Sequence, residues 1–212
     1  MRKYFYIMLV ALLNANCKAQ VINPINIVPI QNQESLNNIN ENDYLKDTNS
    51  LLNQFVGTWE YTNGATKLKI ILKKAVNNYN GYYREDLIYG EYQYIENGIE
   101  KLNTLPKVDL TYQAQFDHSI AGNIILLKNA RQLPCSDCLD TERRLLAIIS
   151  DEVKQIAGRI FIRRVIQNGE PALSILVHFT GIRTTGSDAS NIEQEFVGST
   201  IPNGEYTLIK LP

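Results

Sequence analysis

The pair Asn-Gly occurs five times in this chain, at Asn63-Gly64, Asn80-Gly81, Asn97-Gly98, Asn168-Gly169 and Asn203-Gly204. Both central residues of a type I′ turn need positive φ, and Asn-Gly meets that need at small steric cost. Set between apolar runs, the pairs predict an antiparallel meander in which sequence neighbours are sheet neighbours. Twelve tyrosines and many Ile, Val and Thr residues agree, because such side chains fit a pleated, half-buried surface.

Two hairpins can be written out residue by residue. With Asn63-Gly64 at the tip, Thr62 pairs with Ala65. Trp59 then faces Leu68, Gly57 faces Ile70 and Phe55 faces Leu72, while Glu60 meets Lys67 and Thr58 meets Lys69. With Asn168-Gly169 at the tip, Ile162 faces Ile175 and Ile160 faces Val177 on one side. Arg163 faces Ser174 and Arg159 faces His178 on the other. A slip of one residue would turn either apolar row outward.

Further strands are expected over 87–95, 123–127, 143–149 and 206–211, with fainter patterns over 108–116 and 153–157. Gly90 marks a bend in a long strand. A sheet of this size must close or fold over to hide its edges. The expected fold is therefore all-β with minor α: an antiparallel up-and-down β-barrel with one or two short helices. A β-sandwich is the alternative. One helix is expected within 44–52, capped by Asn42 or Asp43. Residues 181–198 look like a loop, inside which Ser190 and Glu193 are spaced as a capping box.

The N-terminus reads as a targeting segment. Arg2 and Lys3 precede an apolar run over 4–13, and Cys17-Lys18-Ala19 precedes Gln20. This is the layout of a secretory signal peptide over 1–19, cut between Ala19 and Gln20. The run is too short to span a bilayer, which takes about 20 residues, so the mature chain is expected to lack a transmembrane helix. In a competing mode Cys17 carries a lipid anchor. The flanking Asn14 and Asn16 are not the Leu and small residue that a lipoprotein signal places there. The protein is expected in the periplasm or outside the cell, or, with the anchor, as an outer-membrane lipoprotein. Residues 20–42, rich in Asn and Gln and free of Lys and Arg, read as a flexible leader. Residues 43–212 then form a single domain. The formal net charge is −1, and no basic patch with interleaved aromatics occurs, so nucleic acid is not an expected partner.

Phe55-Val56-Gly57-Thr58-Trp59-Glu60, at the head of the first long strand, resembles the Gly-x-Trp opening of lipocalin-type barrels. The resemblance implies that Gly57 and Trp59 are structural and that Trp59 closes the barrel floor. The chain departs from lipocalins in lacking a Thr-Asp-Tyr second motif and a secure closing arginine. Tyr44-Leu45-Lys46-Asp47, Gly57-Thr58-Trp59, Tyr83 with Asp86, Gly90-Glu91-Tyr92 and Leu208-Ile209-Lys210 resemble a domain-of-unknown-function family of small secreted Gram-negative bacterial proteins. That resemblance implies export and a calycin-like barrel, and no activity.

Several residues carry chemistry. Cys135-Ser136-Asp137-Cys138 reads as a local disulfide in an oxidising compartment; a redox pair or a metal site are the other readings. Zinc would need further ligands, and no cofactor is expected. His118 and His178 are the only histidines, and Asp117-His118 neighbours would point to opposite faces of a strand. Arg164 shares a strand face with Ile160, Ile162 and Ile166. An inward charge is costly unless paired or wet. It reads as a rim arginine reaching water, or as an anchor for an anionic ligand at the barrel mouth. Tyr79, Tyr82, Tyr83, Tyr89, Tyr92 and Tyr94 form a cluster that serves cross-strand pairing or lines a carbohydrate-binding surface. The chain has no phosphate loop, no Gly-x-Ser-x-Gly elbow and no His-Glu-x-x-His. The expected function is non-enzymatic binding of a small apolar or amphipathic ligand in the barrel interior. The alternatives are a cell-envelope protein–protein interaction module and, less favoured, a hydrolase with spatially assembled acids.

Overall fold

The computed structural model describes residues 26–31, 39–112, 115–185 and 193–212. The expected signal segment over 1–19, with Cys17 and Ala19, and the following Gln20 lie outside the described residues. The strands are β1 (Ile27–Pro29), β2 (Tyr44–Lys46), β3 (Gly57–Asn63), β4 (Thr66–Tyr79), β5 (Arg84–Glu96), β6 (Ile99–Asn103) and β7 (Ile120–Leu126). They continue as β8 (Arg144–Asp151), β9 (Ile156–Gln167), β10 (Glu170–Phe179), β11 (Ile182–Thr185), β12 (Glu193–Phe196) and β13 (Gly204–Lys210).

Eight of these close a ring. The order β3-β4-β5-β7-β8-β9-β10-β13 returns to β3, and every step is antiparallel. The expected barrel is therefore correct, with extra strands outside the ring. β5 runs past the ring at both ends. On the edge facing β7 it pairs in turn with β2 in parallel, with β7 at Ile88, Tyr89 and Gly90, and with β6. Gly90 sits where an added Cβ would lie 2.1 Å from the Ile71 carbonyl oxygen, so only glycine permits the close approach of β4.

The Asn-Gly pairs divide by what they do. Asn97-Gly98 and Asn168-Gly169 have positive φ at both positions and make two-residue hairpins as expected. The β9–β10 register matches the sequence reading in full, Ile162 on Ile175 and Arg159 on His178 included. The β3–β4 hairpin differs by two residues. Asn63 pairs with Thr66, and Trp59 lies opposite Ile70 rather than Leu68. The turn is Gly64-Ala65, with positive φ at Gly64 and not at Asn63, the pattern of a type II′ turn with Gly in its first central place. A shift of two keeps every side chain on its own face, so Trp59, Leu68, Ile70 and Leu72 are all buried. Asn80 instead heads a wider loop, its Oδ1 accepting from the backbone N–H of Tyr82 and Tyr83. Asn203 precedes β13, and its side-chain amide bonds both backbone groups of Phe179 like a strand partner.

Other expectations are corrected. Residues 44–46 form β2 rather than helix, because Tyr44 and Leu45 bury on the β5 edge. Among the described residues the helices are short 3₁₀ turns at Leu51–Phe55, Leu105–Lys107 and Gln115–Asp117. Residues 108–112 are turn and loop, and β9 starts only at Ile156, after a turn. β1 and the buried Ile30 place part of the expected leader in the packed domain. The expected loop 181–198 carries the two-stranded ribbon β11–β12. Glu193 is strand there, while Ser190 falls outside the described residues.

The inward side chains form one apolar cluster that contains Trp59, Leu68, Tyr92, Leu145, Ile160, Ile162, Ile175 and Leu208. One end of the ring is plugged by Leu52 and Phe55 of the first 3₁₀ turn. The other is plugged by Ile201 from the chain that leads into β13. An eight-stranded barrel is narrow enough for side chains to fill it, and these do. A second, smaller cluster of Leu126, Ala130, Leu146 and Phe161 lies on the outer wall. Among the described residues no helix is long and apolar enough to cross a membrane.

Candidate functional site

Trp59 is fully buried, and its Nε1 donates to the Phe55 carbonyl at 2.9 Å. That bond ties the plug to the first ring strand. Two cations cover the indole: the Arg164 guanidinium at 5.3 Å and the Lys210 ammonium at 5.5 Å from the ring centre. Gly57 lies beside them, an added Cβ there falling 3.0 Å from the Lys210 side chain. Arg164 also donates to the carbonyls of Val165 and Ala172. So the inward arginine has partners: an aromatic face and two carbonyls at the plugged floor.

Asp47 accepts from the backbone N–H of Leu51 and Leu52, capping the 3₁₀ turn, and pairs with Lys74 at 2.7 Å. Asp86 accepts from the Tyr44 hydroxyl, from Asp47 N and from Asn77 N at the β4 bulge. Burial, with Asp86 beside it, pushes the Tyr44 phenol well above its ordinary range. At the far end Asp151 accepts from Thr200 N, Thr200 Oγ1 and Lys154 N. The Tyr92 hydroxyl donates to the Ser150 carbonyl. Asp47, Asp86 and Tyr44 thus fasten segments at one end of the ring, and Asp151 and Tyr92 at the other; of the six clustered tyrosines only Tyr92 takes part.

His118 is buried, its Nδ1 2.8 Å from Glu91 Oε1, with the rings of Tyr89 and Tyr112 against it. His118 Nε2 and Glu91 Oε2 have no hydrogen-bond partner among the described residues. Neither Glu91 nor His118 lines the two cavities described below. His178 is exposed on β10 opposite Arg159, on the outer face, as the register predicts. Cys135 and Cys138 form the expected disulfide.

Two of the cavities among the described residues lie on the outer wall of β7–β10. The larger, about 590 Å³, runs along β7 and β8 where β5 changes partner from β2 to β7. Phe116, Ile124 and Ile148 give it apolar walls, and Tyr83, Glu85 and Asn123 give it polar groups. Glu85 is 1% exposed and accepts from the side-chain amides of Asn80 and Asn123. Burial raises its carboxyl above the ordinary value, against the pull of those two amides. Burial and the nearby Glu85 raise the Tyr83 phenol as well. A concave, largely apolar wall with a few convergent polar groups is the usual form of a small-molecule site. Sequence reasoning missed Glu85 and Asn123. Alternation marks Asp86 as the inward acid of the Glu85-Asp86 pair; Glu85 is on the opposite face and is buried by the groove, which the sequence does not signal. The second cavity, about 320 Å³, adjoins the disulfide.

A family model described as a family of unknown function, DUF6705, matches residues 1–211. No curated protein and no solved structure matches the chain. With the family match spanning nearly its whole length, and the ring, the plugged floor and the disulfide on that span, the chain belongs to the family of unknown function DUF6705.

Proposed function

We propose that this chain is an exported barrel protein that binds a small amphipathic molecule in the groove along β7 and β8. The supporting observation is that groove: about 590 Å³, apolar along Phe116, Ile124 and Ile148, with Glu85 buried at its wall. The barrel interior is a poor alternative, because its inward row forms one packed cluster plugged at both ends. Export, by the signal segment 1–19 with cleavage before Gln20 or by lipidation at Cys17, belongs to the same reading. The apolar walls would take a hydrocarbon chain or ring, and Glu85, Asn123 and Tyr83 would orient a hydroxyl or amine.

Displacement of a fluorescent fatty alcohol from the mature protein tests it. Uptake that is lost in Ile148→Asp and kept in Leu173→Val, a change inside the barrel, is the expected result. Equal loss in both variants, or no uptake by the wild type, would rule the groove out.

A second reading rests on Phe196, 79% exposed on the ribbon β11–β12, and its neighbour Ile182. Exposed apolar side chains on a projecting ribbon suit a protein partner in the cell envelope. A stoichiometric partner recovered with wild type and lost with Phe196→Ser would favour it.

A further inference from the structure

The outer wall of β8, β9 and β10 carries a second cavity, and a disulfide forms part of its rim. Its lining includes Pro134, Cys135, Arg144, Phe161, Arg163 and Leu176. The two cysteines are not equivalent. Cys135 is half-buried and lines the cavity, whereas Cys138 is 2% exposed and does not. Nucleophilic opening of a disulfide requires approach to one sulfur along the S–S axis. Of the two cysteines only Cys135 lines the cavity, so it is the one a nucleophile entering there meets.

The sulfur on the far side of the bond has a proton acceptor. Cys138 Sγ lies 3.5 Å from Glu142 Oε1. Glu142 is held there by Arg163, whose Nε and Nη2 each bond one of its oxygens. Arg163 Nη1 reaches Asp137 in the Cys-Ser-Asp-Cys turn, so one guanidinium links turn, carboxylate and β9. Arg144, buried at the cavity edge, donates to the carbonyls of Leu127 and Leu133 and fixes the start of the same loop. The framework around the bond is thus held by contacts that do not include the bond.

We propose that Cys135–Cys138 is a thiol–disulfide exchange site for a dithiol that enters this cavity. One thiolate of the dithiol attacks Cys135 Sγ. The Cys135–Cys138 bond breaks, and Cys138 leaves as a thiolate that takes up a proton and, as a thiol, donates to Glu142. The second thiolate of the dithiol then attacks its own partner sulfur in the mixed disulfide, and Cys135 leaves as a thiolate. Two electrons pass from the dithiol, which becomes a disulfide, to the protein, which becomes a dithiol. Phe161 and Leu176 form the apolar wall against which the incoming carbon skeleton packs.

The full chain is mixed with dithiothreitol, or with a Cys-x-x-Cys peptide, at a series of urea concentrations. Peptide mapping after alkylation separates Cys135 and Cys138 from Cys17. The expected result is reduction in the absence of urea with the strand circular dichroism unchanged, at a rate independent of urea below the unfolding transition. Faster reduction by dithiothreitol identifies a small dithiol as the natural reactant, and faster reduction by the peptide a protein one. In Cys138→Ser, oxidised glutathione is expected to modify Cys135 in the folded protein; in Cys135→Ser, Cys138 should stay unmodified until unfolding. Leu176→Trp, which fills the cavity, should slow native reduction about tenfold and leave the rate in urea unchanged. Reduction only in step with global unfolding would overturn the proposal and leave the bond a static staple. Wild-type kinetics alone decide this if a cysteine variant fails to fold.

Discussion

The two ends of the barrel solve one problem by different means. Each is closed by an apolar plug, and each plug is pinned by a buried aspartate that accepts backbone N–H groups. At the floor, Asp47 binds Leu51 and Leu52, four and five residues away in sequence, and a lysine neutralises it. At the far end, Asp151 binds Thr200, 49 residues away, and its bonds come from N–H and hydroxyl groups. The floor is a local cap that needs almost no loop closure. The far end is a long-range latch that forms only once β9 and β10 are in place. A buried carboxylate is tolerable in either setting because its oxygens are saturated.

The largest effect is expected at the floor itself. Trp59→Ala removes the residue that joins plug, ring and two cations, and should cost about 4 kcal/mol in urea unfolding. Asp47→Ala leaves two N–H groups and a half-buried ammonium without their partner, an expected loss of about 3 kcal/mol. Asp151→Ala should cost about 2 kcal/mol, since no cation is stranded. Its cost should appear mainly as faster unfolding in a chevron plot, because a latch is absent from the transition state. Equal partition of both aspartate losses between folding and unfolding limbs would break the distinction between cap and latch.

Glu85 sharpens the contrast, because it is buried in the wall rather than at an end. Its carboxyl is raised in the folded state, so the fold favours the neutral form. Its stabilising share is complete below its ordinary value of 4.5 and is lost as pH rises through the folded value. Glu85→Gln should match the wild type at acid pH and gain on it as pH rises toward neutrality in thermal melts. A constant difference across pH would show that the carboxyl feels no burial penalty. The smallest effect is expected for Lys210→Met, about 0.5 kcal/mol from one cation over Trp59, with Arg164 still covering the ring.

Local chemistry was legible in the sequence and long-range chemistry was not. The β9–β10 hairpin could be written down pair by pair because Asn168-Gly169 fixes both φ angles and the apolar row checks the register. At β3–β4 the same argument lands two residues away, since Gly64 alone needs positive φ and two adjacent turns both keep Trp59 inward. Alternation cannot choose between registers that differ by two. Residues 44–46 carry no signal of their own for parallel pairing with β5, so local pattern does not separate strand from helix there. The disulfide was read from spacing and the compartment implied by the N-terminus. The groove was not: Phe116, Glu85 and Ile148 come from three distant segments, and only closure of the ring brings them to one wall.

The seams of that ring have a mechanical consequence. β3 meets β13 at two residue pairs, and β5 meets β7 at three, while β4 and β5 run side by side over most of their length. A cylinder fastened so lightly along two lines is two curved shells, β3–β5 and β7–β10 with β13, hinged edge to edge. Backbone amides of Trp59, Lys210, Tyr89 and Ala121 should therefore exchange with solvent deuterium before those at the centre of either shell. The 590 Å³ groove, lying along one hinge, would widen each time that hinge opens.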